Sequence, residues 1–124
     1  MARTLADVPE GIVDQFLLVD DASRDHTAAL AQVLGHHYPL TVITHAKNRG
    51  YGANQKTCYE QSLQAGADVT VMLHPDYQYE PRLLGSLCGL VSSGVYDLAL
   101  GSRILGMALE KVACPCTNTP RTGL

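Results

Sequence analysis

Short apolar runs recur along the first hundred residues, at QFLLV (15–19), LTVIT (40–44), VTVML (69–73) and DLAL (97–100). Each is flanked by polar and turn-forming residues and is short, apolar and largely β-branched or aliphatic, which suits strands buried on both faces. The stretches between them carry apolar residues at helical spacing. Residues 4–8 (TLADV) read as the last turns of a helix that Pro9 ends. Residues 26–34 (HTAALAQVL) form a second predicted helix, with Asp25 as its N-cap and Gly35 just past its end. A third spans 52–65, places Tyr59 and Leu63 one turn apart, and stops at Gly66. Pro81 suits the first position of a fourth, whose apolar face gathers Leu83, Leu84, Leu87, Cys88, Leu90 and Val91 before Gly94 stops it. Strand and helix therefore alternate, the signature of an α/β fold with a mainly parallel sheet and right-handed crossovers. The alternation ends after Arg103, and residues 107–124 are expected to be a poorly ordered tail.

Composition narrows the partners more than the fold. The chain has 124 residues, enough for one small domain, with 46% hydrophobic and 17% charged residues, as in soluble globular proteins. Its net charge is −3 and its basic residues are scattered from Arg3 to Arg121, so no basic stripe marks it for nucleic acid. Residues 1–12 lack the apolar core of a secretory leader, and no apolar run reaches transmembrane length. Four cysteines, Cys58, Cys88, Cys114 and Cys116, at low density and without a leader fit a reduced, cytoplasmic chain. Cys114-Pro115-Cys116 together with His36-His37 matches no zinc-ligand spacing, and the two tail cysteines read as free thiols.

The chemistry gathers where the strands end. In open parallel sheets, ligands bind beyond the carboxyl ends of the strands. Those ends carry Asp20, Asp21 and Ser23, then His45, Lys47, Asn48 and Gly50, then His74 and Asp76, then Gly101, Ser102 and Arg103. Turn formers and caps are expected at strand ends, which accounts for Ser23 and Asp25. It does not account for Asp20, Asp21 and Asp76 on one rim, because clustered carboxylates repel unless a cation or hydrogen-bond donors lie between them. NRGYGAN (48–54) places Gly50 and Gly52 ahead of a helix, where backbone N–H groups can cradle a phosphate. It is not a dinucleotide fingerprint, since Gln55 stands where the third glycine belongs, and no GK[ST] follows to make a P-loop. A dehydrogenase is disfavoured accordingly. His26, His36 and His37 read as surface residues, and Lys56 as a solvated lysine or a phosphate contact. His74 and Asp76 flank Pro75, and in extended chain their side chains share one side. That pair could face Mn²⁺ or another transition ion, whereas Mg²⁺ prefers oxygen alone. Taken by itself, the pair is better explained by a hydrogen-bonded His74 and an Asp76 that caps the turn before Pro81.

Together, LLVDDASRDHT, NRGYGAN, MLHPDYQYEP and LALGSRILG resemble, in order and spacing, the family 2 glycosyltransferases of the GT-A fold. The likeness is strongest to the branch of dolichyl-phosphate and polyprenyl-phosphate sugar synthases and covers about residues 3–106. It implies a Rossmann-like three-layer α/β/α domain and the transfer of a sugar from a nucleoside-diphosphate donor to a lipid-phosphate or saccharide acceptor. By position, Asp21 would contact the nucleotide base and Asp20 would support it. Asn48, Gly50 and Gly52 would lie near the nucleotide and its diphosphate. The family's Asp-x-Asp element falls on His74-Pro75-Asp76, so Asp76 would be the catalytic metal ligand, holding a divalent cation (Mn or Mg) on the diphosphate. His74 replaces the first aspartate and alters the ligand set. A phosphate acceptor is already ionised and needs little general base, whereas a hydroxyl acceptor needs one. The resemblance implies inversion at the anomeric carbon and a cytoplasmic chain that meets a membrane through its acceptor.

Two departures stand beside the likeness. Family members open with a strand and a Pro-x-x-Asn-Glu-like segment ahead of a helix like the one ending at Val8, whereas this sequence starts inside that helix. The likeness also stops near Gly106, before the family's acceptor half. Residues 1–106 are thus expected to form a partial donor-binding domain whose sheet has a gap between strands 15–19 and 69–73. Pairing with another chain, a homo-oligomer for example, would fill such a gap. Two functions follow: part of the donor site of a glycosyltransferase, or a non-catalytic nucleotide-binding or structural remnant of one.

Overall fold

The computed structural model describes residues 1–102. In chain order it holds α1 (Ala2–Ala6), β1 (Phe16–Asp20), α2 (Thr27–Leu34), β2 (Leu40–Thr44), α3 (Tyr51–Gln64), a 3₁₀ turn (Pro81–Leu83) and α4 (Leu84–Ser92). β1 and β2 pair in parallel, with Phe16 opposite Leu40 and Asp20 opposite Thr44. The ladder closes at both ends, where Phe16 N–H donates to Pro39 at 2.8 Å and His45 N–H donates to Asp20 at 2.9 Å. The fold is α/β, as the alternation predicts. α2 makes the crossover and packs on both strands, while α3 packs on β1. Val19, Ala31, Leu34 and Leu84 form the buried apolar core, with Pro81 fully buried beside them.

The helices follow their local signals. α2 starts at Thr27 with His26, not the expected Asp25, in the N-cap position and no side-chain cap from it, while Asp25 one residue earlier accepts from Thr27 N–H at 2.9 Å. Gly66 and Gly94, with φ of 77° and 73°, turn the chain into the left-handed region after α3 and α4. Gly35 ends α2 differently, staying right-handed at φ −61°. Pro81 takes the first position of the 3₁₀ turn, where Glu80 caps by accepting from Arg82 N–H.

Two expected strands do not form. Residues 69–73 and 97–100 are irregular, and among the described residues the sheet has two strands, not four. A strand needs a neighbour's backbone as well as apolar side chains. No ladder reaches these segments, and Leu98 and Leu100 are 70% and 82% exposed. Thr70 instead shares a hydroxyl hydrogen bond with Ser62 of α3. The outer edge of β1 is covered from above. Phe16 N–H and the Asp20 carbonyl face β2, so by alternation Val19 faces away, and its carbonyl accepts from Asn54 Nδ2 of α3 at 3.0 Å. The other amide atom, Asn54 Oδ1, is buried with no partner among the described residues. No helix among those residues is long and apolar enough to cross a membrane. The predicted tail, Arg103, Cys114 and Cys116 lie outside the described residues.

Candidate active site

The carboxyl end of β1 delivers Asp20 and Asp21 to opposite environments. Asp20, the last strand residue, is 4% exposed, and its Oδ2 accepts from Ser23 N–H at 3.2 Å. It shapes the turn and faces inward. Asp21 faces the rim. Its Oδ1 accepts from His45 Nδ1 at 2.7 Å and from Arg49 N–H at 2.9 Å, and its Oδ2 accepts from Gly50 N–H at 2.7 Å. The His45 hydrogen bond, followed by the Arg49 amide, holds the Asp21 carboxyl below the usual carboxylate range. A carboxylate only accepts, so His45 Nδ1 carries the proton of this bond. The other ring nitrogen lies 3.0 Å from the Thr57 hydroxyl, whose proton is donated to the Ala53 carbonyl at 3.1 Å. The chain Asp21–His45–Thr57 thus ties the ends of β1 and β2 to α3.

Asn48 completes the loop. Its Nδ2 donates to the Asp21 carbonyl at 3.2 Å, and its Oδ1 accepts from Gly50 N–H at 3.1 Å. Gly50 sits at φ 86°, ψ 164°, a region essentially restricted to glycine. Gly52 lies within α3, and a Cβ there would meet nothing within 4 Å. No side chain caps the α3 N-terminus, so the first-turn amides and the helix dipole are left available to an anion.

His74 comes to the same end of α3. Its Nε2 lies 3.0 Å from the Tyr51 hydroxyl, and Gln55 Nε2 donates to that hydroxyl at 2.6 Å. The Tyr51 and Tyr79 rings flank the imidazole, with centroids 5.7 and 5.2 Å away. Asp76 is exposed and its Oδ1 accepts from Gln78 N–H at 3.0 Å, a local turn bond. The turn is clasped by α1. The Pro75 carbonyl accepts from Thr4 Oγ1 at 3.0 Å and from the Met1 amino group at 2.7 Å. Tyr77, at φ 64°, donates its hydroxyl to Asp7, and the Arg3 guanidinium lies 4.1 Å from its ring centroid. The Asp7 carboxylate raises the Tyr77 phenol above its ordinary range.

Asp21, Asn48 and Gly50 therefore form one hydrogen-bonded unit, and His74 joins the helix that starts from it. No described contact ties Asp76 to that unit. Among the described residues no group of three His, Cys, Asp or Glu could hold a metal ion. Asp76 keeps its Oδ2 without a described hydrogen bond, whereas His74 Nε2 is engaged by the Tyr51 hydroxyl. Sequence reasoning noted His45 without giving it a role, named Gln55 only as the residue in place of a third glycine, and gave Tyr51 no role. The only signal was position, since His45 follows β2 directly and Tyr51 sits inside NRGYGAN.

Residues 2–108 match Glycosyl transferase family 2. The chain belongs to this family. It is 32% identical over 94 residues to the dolichol-phosphate mannosyltransferase of Pyrococcus furiosus, covering 76% of this chain and 26% of that one. It is 36% identical over 89 residues to the polyprenol monophosphomannose synthase of Mycolicibacterium smegmatis, covering 70% and 33%. It is 27% identical over 105 residues to an uncharacterized protein of Methanocaldococcus jannaschii, covering 85% and 42%. This family 2 chain thus spans between 26% and 42% of the length of the curated relatives it matches. No solved structure matches it.

Proposed function

We propose that this family 2 chain supplies part of the donor site of a glycosyltransferase that binds a nucleoside-diphosphate sugar. The observation that carries the reading is the Asp21–Asn48–Gly50 unit set directly before the uncapped α3 N-terminus. Asp21 stands at the rim, where it accepts from His45, from Gly50 N–H and, through both oxygens, from Arg49 N–H, and it fixes the loop against which the nucleotide base is placed. The diphosphate lies at the first turn of α3, where amides and dipole favour negative charge. Asp76 is the residue that would hold a divalent cation, Mn²⁺ or Mg²⁺, and such an ion would supply neutralisation of the charge on the leaving diphosphate. An acceptor oxygen attacks the anomeric carbon, and the bond from that carbon to the diphosphate oxygen breaks with inversion. The names of the relatives favour a mannosyl donor and a polyprenyl phosphate acceptor. Such an acceptor is ionised already, so no general base is required of this chain.

The two-stranded sheet favours a second reading, a nucleotide-binding remnant without transfer activity. Thermal unfolding with and without UDP or GDP, each with Mn²⁺ or EDTA, tests the shared premise. A cooperative transition raised by nucleotide in the wild type and not in Asp21→Ala is expected, since a ligand stabilises the state it binds. A transition that no nucleotide moves would remove both nucleotide-binding readings. Mannosyl transfer from a nucleoside-diphosphate mannose to a polyprenyl phosphate then separates enzyme from remnant.

A further inference from the structure

The loop of residues 48–50 hangs from the Asp21 carboxylate, and one side chain outside that loop holds the carboxylate in place. We infer that His45 is a positioning residue for the nucleotide donor, fixing Asp21 so that the loop presents the start of α3 to the ligand. The inference rests on the donor-site reading above and deepens it.

The donors to Asp21 come from two places. Arg49 N–H donates to both carboxylate oxygens, at 2.9 and 3.1 Å, and Gly50 N–H donates to Oδ2 at 2.7 Å. These amides belong to the loop that is being placed, so they cannot by themselves fix where the carboxylate stands. His45 is the described donor that comes from the sheet. Its backbone N–H closes the β1–β2 ladder on the Asp20 carbonyl at 2.9 Å. Its ring is held at both nitrogens, by Asp21 Oδ1 at 2.7 Å and by the hydroxyl of Thr57, on the second turn of α3, at 3.0 Å. Only 8% of the His45 side chain is exposed, so water competes little for either bond. The same His45 bond does most to hold the Asp21 carboxyl below its ordinary range, which keeps both oxygens as acceptors for the loop. Ala22, directly after Asp21, sits at φ 58° in the left-handed region, so the regular backbone of β1 does not continue past Asp21 to steady it. The loop's shape matters to a ligand because its amides are divided. Arg49 and Gly50 spend theirs on Asp21, Asn54 N–H donates to the Gly50 carbonyl at 3.0 Å, and the N–H groups of Tyr51, Gly52 and Ala53 have no described acceptor. A rotated carboxylate would carry Gly50 with it, and Gly50 sets the direction in which those open amides point.

The test uses the full chain. Calorimetric titration of UDP and GDP, each in Mn²⁺ and in EDTA, reads affinity, and ¹H–¹⁵N spectra without ligand read the Arg49 and Gly50 amides. His45→Ala should displace both amide signals and weaken binding roughly ten- to a hundredfold, the range for a hydrogen bond to a charged group. Asparagine at this position places its side-chain N–H near that of Nδ1, and glutamine near that of Nε2. His45→Asn should therefore restore most of the affinity and both amide signals, while His45→Gln should behave as the alanine variant does. If His45 only filled space, glutamine, nearer to it in size, would be the better substitute, and that order would overturn the inference. Thr57→Val keeps the branched shape and removes the hydroxyl at the ring's other nitrogen. It should weaken binding severalfold, whereas Thr57→Ser should not. Should the His45 variants fail to fold, this pair decides, and equal affinity of the valine and serine variants would overturn the inference. A folded His45→Ala chain that binds nucleotide as tightly as the wild type would overturn it and leave the donor-site reading standing. A wild type that binds neither nucleotide brings down both.

Discussion

Asp21 concentrates the site's electrostatics in one side chain. His45 and two backbone amides stabilise its ionised form, so its pKa is lower folded than unfolded. The stability it contributes is complete above the unfolded value of about 4 and is lost as pH falls through the lower folded value. The thermal midpoint of the wild type should thus be flat from pH 7 to 5 with respect to this group and fall below about pH 4. Asp21→Asn should start lower at pH 7 and fall less on the acid side; an identical acid limb would show that Asp21 is not the group titrating. The two glycines of NRGYGAN make a second contrast. Both stand out in the sequence, yet only Gly50 adopts a backbone that excludes other residues. Urea unfolding should find Gly50→Ala destabilised by roughly 1–3 kcal/mol. Gly52→Ala, inside a helix and in open space, should be neutral or stabilising by up to about 1 kcal/mol. Residue types announce that a loop is special; they do not announce which φ each residue takes, and that is why Gly52 reads like Gly50 on paper.

At the scale of elements, what depends on near neighbours was legible and what depends on distant ones was not. Pro81, Gly66 and Gly94 mark boundaries through their own backbone preferences, and each does so in the fold. QFLLV and LTVIT find each other across a single helix and pair. VTVML and DLAL are also mainly apolar but have no backbone partner among the described residues, and apolar content reports burial preference without supplying the neighbour. The site divided by strand pairing and not by separation. Asp21 lies 27 and 29 residues from Asn48 and Gly50, yet the pairing of β1 with β2 brings them together at one strand end and one helix start. The His74–Tyr51 contact spans 23 residues, lies outside the paired strands and had no local signal. The helix faces can be checked by substitution. Leu34→Ala, in the buried face of α2, should lower stability by about 2–4 kcal/mol. Leu63→Ala, at a position 72% exposed, should change it by no more than about 0.5 kcal/mol, although helical spacing had marked both positions as apolar.

Over the whole molecule, two kinds of connection coexist. β1, α2, β2 and α3 are joined through neighbours in the chain, while α1 reaches the Pro75–Tyr77 turn across separations of 70, 71 and 74 residues. Closing a loop of that length from an unfolded chain opposes folding by about 4 kcal/mol. The clasp should therefore be the last part to assemble and the first to open, releasing the segment that carries His74 and Asp76 while the helices persist. The sequence contains no tryptophan, so tyrosine emission is unmasked, and the hydrogen bond from the Tyr77 phenol to the Asp7 carboxylate is expected to lower Tyr77 emission while the clasp is closed. In low urea, fluorescence should rise before the helical circular dichroism falls, and on refolding it should drop after the helices return. Coincident curves would mean that clasp and core form one cooperative unit. Separate curves would mean that opening of the segment carrying His74 and Asp76 has its own equilibrium constant, set by residues more than 70 positions away from those it exposes.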